Sequence, residues 1–103
     1  MNDRLLNMVG MAVRAGKAEF GVFSSERAVE EGRGALVVAA GDIGASNKRS
    51  IEGKCRRCGV DIIFYSDKDS LSHAVGKKNL PVICICDEGF ASAIVKIYGG
   101  VAK

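Results

Sequence analysis

Four cysteines and a single histidine are the residues of this sequence best suited to metal, redox or acid–base chemistry. Cys55 and Cys58 form a C-x-x-C and Cys84 and Cys86 a C-x-C, which meets the arithmetic of a four-thiolate zinc site. The surroundings point elsewhere. Cys84 and Cys86 lie in the apolar run Pro81-Val-Ile-Cys-Ile-Cys86, where buried thiols behave as small hydrophobes. Cys55 falls where a helix should still be running, ahead of a stop at Gly59. Plain core or surface thiols are therefore expected, without disulfides, metal or cofactor. His73 has no nucleophile partner by motif, and no G-x-S-x-G, H-E-x-x-H or spaced acidic pair stands out. Gly16-Lys17 follows a helical pattern, and Gly41-Asp-Ile-Gly44 supplies only two glycines, so neither reads as a nucleotide loop. Catalysis is not expected.

The cations offer a different chemistry. Fifteen Lys and Arg against twelve Asp and Glu give a net charge of +3, which permits a polyanionic partner without demanding one. Lys48, Arg49, Lys54, Arg56 and Arg57 face one acid, Glu52, within ten residues, and Lys77-Lys78 forms a second pair in an expected loop. By itself such a run reads as a solvated helix face. It gains a role if loops leaving the same strand ends gather three segments, Gly21 to Arg27, Gly41 to Lys48 and Lys68 to Leu80, on one rim. Expected helix starts at Ser24 and Ser46 would add open backbone N–H groups to Arg27, Lys48, Lys68, Lys77 and Lys78. Val22, Phe23 and Ile43 stand among them and suit an unstacked base. Folded RNA, which presents both phosphates and exposed bases, fits that combination.

The elements that would build the rim can be read in order. Leu5, Leu6, Met8, Val9, Ala12 and Val13 recur at helical spacing up to a stop at Gly16. Ala18-Glu-Phe20 reads as a short strand, followed by a helix through about Glu31 closed by Gly32 and Gly34. Ala35 to Ala40 reads as a strand buried on both faces, and a third helix runs from a cap at Ser46 to about Cys58. Val60 to Tyr65 is the next strand, and Ser66-Asp-Lys-Asp69 has the look of a capping box for a short helix ending at Gly76. Leu80 to Cys86 makes the last strand, with Asp87 capping a final helix over Phe90, Ala93, Ile94 and Ile97 that Gly99 and Gly100 should stop. Alternating strands and helices predict a layered α/β sandwich. Residues 1–103 are expected to form a single domain, with 48% hydrophobic and 26% charged residues and no membrane-length apolar run. The opening Met1-Asn2-Asp3-Arg4-Leu5 lacks an export pattern, so a cytoplasmic location is expected.

Six stretches in order carry a family likeness. They are Leu5 to Lys17, Gly21 with Arg27 six residues on, the strand into Ala39-Ala40-Gly41-Asp42, Lys54-Cys55 before Gly59-Val60, Leu71 to Lys77, and Asp87-Glu-Gly-Phe-Ala91. Over nearly its whole length the chain resembles the kink-turn-binding ribosomal protein L7Ae-like family, and in particular its small bacterial YlxQ-like branch. The resemblance implies a three-layer α/β/α sandwich around a mixed four-stranded sheet, no catalytic activity, and recognition of RNA kinks with tandem sheared G·A pairs. Structured RNA of ribosomal kind and ribosomal proteins would be its partners, with neither DNA nor membrane among them.

The family signature G-x-N-E-x-x-K implies roles for individual positions. Gly21 holds its first place and Arg27 its last, as a phosphate contact, with Val22 between. Phe23 stands in place of Asn and Ser24 in place of Glu, the pair that reads guanine edges in the relatives. Loss of a good base-edge contact costs about 1–3 kcal/mol, so weaker kink-turn specificity is expected, with backbone-derived affinity retained. Ile43 and Asn47 match positions beside the flipped or sheared bases and Lys68 a basic phosphate contact, with Asp42 and Lys48 as further candidate RNA contacts in the same loop and helix start. Val75 through Leu80, with Gly76, Lys77 and Lys78 among them, match the loop over the protruding nucleotide, the two lysines replacing more apolar residues. Loss of the Asn-Glu pair leaves an alternative open, a protein-interaction adaptor on the same fold.

Overall fold

The chain runs α1 (Arg4–Arg14), β1 (Ala18–Phe20), α2 (Gly21–Glu30), β2 (Leu36–Ala39), α3 (Ala45–Cys58), β3 (Asp61–Phe64), α4 (Lys68–Ala74), β4 (Val82–Ile85) and α5 (Glu88–Val101). This is a computed structural model that describes residues 3–101, so Met1 and Asn2 of the opening stretch, and residues 102 and 103, lie outside the described residues. The sheet order is β1-β4-β2-β3, with β2 and β3 parallel and the other two pairs antiparallel. Its two inner strands, Leu36-Val-Val-Ala39 and Val82-Ile-Cys-Ile85, are buried throughout and rich in β-branched residues.

Strand alternation divides these side chains between two faces. Leu36, Val38, Ile83 and Ile85 pack with Leu5, Val9, Leu71 and Ile94, a core shared with α1, α4 and α5. Val37, Ala39, Val82 and Cys84 pack with Ala28, Val29, Ile51 and Cys55, which belong to α2 and α3. The expected three-layer sandwich with a mixed four-stranded sheet is thus the fold observed. Each fully buried Leu or Ile contributes about 1.5–3 kcal/mol relative to exposure. The layer of α1, α4 and α5 holds the larger residues. The thinner layer gains from cross-links between its helices: Ser50 donates to Glu26, and Lys54 Nζ lies 2.9 Å from Glu30 Oε2. Those partners are four residues apart on each helix, so α2 and α3 lie side by side in register.

Helix boundaries differ from the expectation at four places, three of them starts and one an end. α2 begins at Gly21, directly off β1, because the φ of +85° at Gly21 lets the chain turn from strand into helix without a linker. Ser24 therefore lies inside the helix. α3 begins at Ala45 behind Gly44, which puts Ser46 within the first turn, where its hydroxyl is no cap. α4 is capped by Asp67, which accepts from the Ser70 N–H at 2.7 Å; Ser66, in the left-handed region at φ 62°, stands outside the helix. α5 begins as expected, with Asp87 accepting from the Phe90 N–H at 2.9 Å, but it continues through Gly99 and Gly100. Packing of Ile94, Ile97 and Tyr98 against the larger core carries it past residues that are poor helix formers. Among the described residues no helix is long and apolar enough to cross a membrane.

Candidate nucleic-acid interface

Register fixes which loops meet. Phe20 pairs with Ile83, and Ala39 with both Val82 and Phe64, so β1, β2 and β3 end where β4 begins. From this one edge α2 departs at Gly21, the loop 40–44 leads to α3, residues 65–67 lead to α4, and residues 75–81 arrive. Hydrogen bonds tie these segments together. The Gly41 N–H donates to the Ser66 carbonyl and the Ala40 N–H to the Pro81 carbonyl, each at 2.8 Å. Asp42 Oδ1 accepts from the Lys68 N–H at 2.8 Å, so the loop before α3 braces the start of α4. Ser72, buried, accepts from the Leu80 N–H at 2.7 Å and donates to the Lys68 carbonyl at 2.6 Å, which anchors the arriving loop. Lys77 Nζ sits 4.8 Å from the centroid of Phe20, the residue just ahead of Gly21.

The three segments singled out in the sequence therefore share a rim. Phe23, 77% exposed, is the most exposed large apolar side chain of the described residues, and Arg27 follows it one turn along the same face of α2. Val22 and Ile43 are half-buried and support this surface from the second core. Asn47 and Lys48 are exposed near the start of α3, with Lys48 Nζ 5.2 Å from the Phe64 ring centroid. Ser24, Lys68 and Val75 are half-buried; Gly76 (φ +71°), Lys77 and Lys78 are exposed. The expected residues come from both faces of the sheet, α2 and α3 on one and α4 on the other, and Arg27 lies in the last turn of α2, away from the helix start.

Two helices open onto this edge without side-chain caps. Phe20 and Gly44 occupy the cap positions of α2 and α3, and neither offers a side-chain acceptor. The first-turn amides of both helices thus keep partial positive charge unmatched by any carboxylate. α4 contrasts with them, since Asp42 and Asp67 already take its Lys68 and Ser70 N–H groups. A phosphate near Lys68 would meet those two acids, which makes Lys68 a weaker anion contact than its sequence match implies.

Other charged groups are committed. Arg27 Nε donates to Glu31 at 3.1 Å, and Arg33 joins Glu31 and Glu19 at 2.9 and 3.0 Å. The hydrogen bonds from Arg33 and then Arg27 hold the Glu31 carboxyl below its ordinary range. The spacing of Arg27 and Glu31 made that pair available to sequence reading. Phe20 and Lys77 gave no such signal, because only the fold brings them together. Three of the thiols lie in or against the second core, Cys55 and Cys84 buried in it and Cys86 half-buried beside it, while Cys58 is exposed. Burial pushes the Cys55 thiol up to about 11 and raises Cys84 and Cys86 as well. Among the described residues no three His, Cys, Asp or Glu side chains gather as a metal site requires.

The sequence matches the Ribosomal protein L7Ae/L30e/S12e/Gadd45 family over residues 3–96. Among solved structures, a protein of unknown function from Bacillus halodurans C is similar with a TM-score of 0.91 and 26% identity, over 95% of this chain and 99% of that one. The Giardia lamblia 15.5kD RNA binding protein has the same fold at a TM-score of 0.73 and 23% identity, covering 99% of this chain and 91% of its own. No curated protein matches the sequence.

Proposed function

The chain belongs to the Ribosomal protein L7Ae/L30e/S12e/Gadd45 family, and from that premise we propose that it is a non-enzymatic RNA-binding protein that holds kinked RNA at the common edge of its strands. One observation carries the reading: two uncapped helix starts open beside an exposed aromatic, Phe23, with Lys48, Lys77 and Lys78 around them and Arg27 one turn further along α2. Open amides and cations hold phosphates, while an exposed ring stacks on a base that has left its helix. Stacking by Phe23 takes the place of base-edge reading, so the protein recognises the sharply folded shape of an RNA more than a pair of guanines. Residues 1–103 act as one domain in the cytoplasm, on structured RNA of ribosomal kind, with ribosomal proteins as neighbours and no cofactor.

Titration with a kink-turn hairpin and with its unkinked duplex counterpart tests this. The hairpin is expected to bind more tightly, and Phe23→Ala to remove most of the difference; equal binding of the two RNAs defeats the proposal. Crosslinking in cells followed by sequencing of bound RNA would then identify the ligand. The exposure of Phe23 also favours a second reading, an adaptor whose aromatic anchors a protein partner beside Arg27. Arg27→Ala separates the two: loss of a phosphate contact lowers the salt slope of RNA binding by about one, whereas a protein contact need not follow that law.

A further inference from the structure

α3 has an outer face that the rim leaves unused. Its inner side presents Ile51 and Cys55 to the second core, one flank is tied to α2 through Ser50 and Lys54, and Lys48 leans over Phe64. Opposite these, Arg49, Gly53, Arg56 and Arg57 recur at i, i+4, i+7 and i+8 and so form one stripe along the helix. All three arginines are exposed and make no ion pair among the described residues, whereas Arg27, Arg33 and Lys54 are each paired. Apolar side chains are missing from the stripe, so it lacks the anchors from which protein interfaces draw their energy.

Gly53 is the second observation. A glycine in a helix interior weakens the helix relative to alanine, so local stability does not explain it. A Cβ at this position would lie 3.3 Å from an Arg57 guanidinium nitrogen. The bare backbone lets Arg57 lie back along the helix over Gly53, so that its guanidinium joins those of Arg49 and Arg56 close to the helix surface.

We infer that the outer face of α3 is a track for the phosphate backbone of a duplex arm that extends from the RNA held at the rim. The identity of the polyanion rests on the RNA-binding reading given above; the stripe itself does not. α3 starts at the rim and runs to the opposite edge, so a helical arm leaving the kink on this side passes along it. Arg49 and Arg56 are roughly 10 Å apart along the axis, a span long enough to touch more than one phosphate of a strand. Arginine suits this contact better than lysine, because its planar fork binds phosphate oxygens two at a time.

The test uses the full chain with two probes, a kink-free RNA duplex and a kink-turn hairpin, titrated over a range of salt. Replacing all three arginines (R49Q/R56Q/R57Q) is expected to weaken duplex binding at least about tenfold and to lower the salt slope by about two to three, at about 0.9 per phosphate contact. A variant with the same loss of charge elsewhere, R4Q/R14Q/K17Q, is expected to bind the duplex as wild type does. Gly53→Leu keeps every charge and is expected to weaken duplex binding by barring close approach. Circular dichroism checks that each variant is folded. If the arginine variant binds duplex with unchanged affinity and slope, the track is refuted and the stripe is left to an acidic protein partner. Wild type that binds duplex but gains nothing from the kink sinks the rim reading and spares the track. Preference for the hairpin with duplex binding indifferent to the three arginines does the reverse, and failure to bind either RNA overturns both.

Discussion

The two helical layers of this protein begin their helices in opposite ways. In the larger layer α1, α4 and α5 each start on an aspartate, Asp3, Asp67 and Asp87, whose carboxylate accepts a first-turn N–H. In the thinner layer α2 and α3 start on Phe20 and Gly44, with no side-chain acceptor. An aspartate cap stabilises a helix and repels a phosphate from the same amides. The larger layer therefore reads as the part that holds the molecule together, and the thinner one as the part that keeps its helix ends free for an anion.

That division can be broken by measurement. The largest effect is expected in the larger core, where Leu5→Ala should lower unfolding stability by about 2–5 kcal/mol in a denaturant titration. Phe23→Ala should cost about 1–3 kcal/mol of affinity for a kink-turn RNA while leaving stability within about 0.5 kcal/mol. A stability loss as large as the affinity loss would mean that Phe23 is structural. Next comes Asp67→Ala, which removes a cap and should cost about 0.5–2 kcal/mol of stability without weakening RNA binding. Gly44→Asp is the converse. Gly44 has φ −61°, and a Cβ there meets nothing within 4 Å, so an aspartate fits. Stability should rise by a few tenths of a kcal/mol, roughly 0.3, while RNA affinity falls; a rise in both would refute the division of labour. The smallest effect at neutral pH belongs to the Cys55 thiol, raised by burial from 9.0 to about 11. Its contribution to stability is fully present below pH 9.0 and is lost as the pH rises through about 11, so urea midpoints should stay flat near neutrality and fall only in alkali.

Much of this fold was legible in the sequence, because periodicity and turn residues agree along most of the chain. The doubly buried run at Leu36–Ala39, the stop at Gly16 and the cap at Asp87 are all where local signals put them. Helix starts were less legible. Ser24 looked like a helix start and Ser46 and Ser66 like caps, but a positive-φ glycine, a preceding Gly44 and a stronger neighbour in Asp67 took those roles from them. Gly99 and Gly100 looked like an end, and tertiary packing carried α5 through them. At the rim, residue types were readable but not their commitments. That Asp42 braces α4 and that Lys77 lies over Phe20 depend on pairs 26 and 57 positions apart, which no local pattern reports.

The order of the strands has a consequence for how the chain is born. Among the described residues β4, a central strand of the sheet, is the last strand in chain order, and β1 pairs with no strand but β4. At about 5–20 residues per second of synthesis, Ala18–Phe20 must wait several seconds for residues 82–85, while β2 and β3 have only α3 between them. A nascent chain should therefore close its parallel pair first and acquire its complete rim in one late step, when β4 slides between β1 and β2.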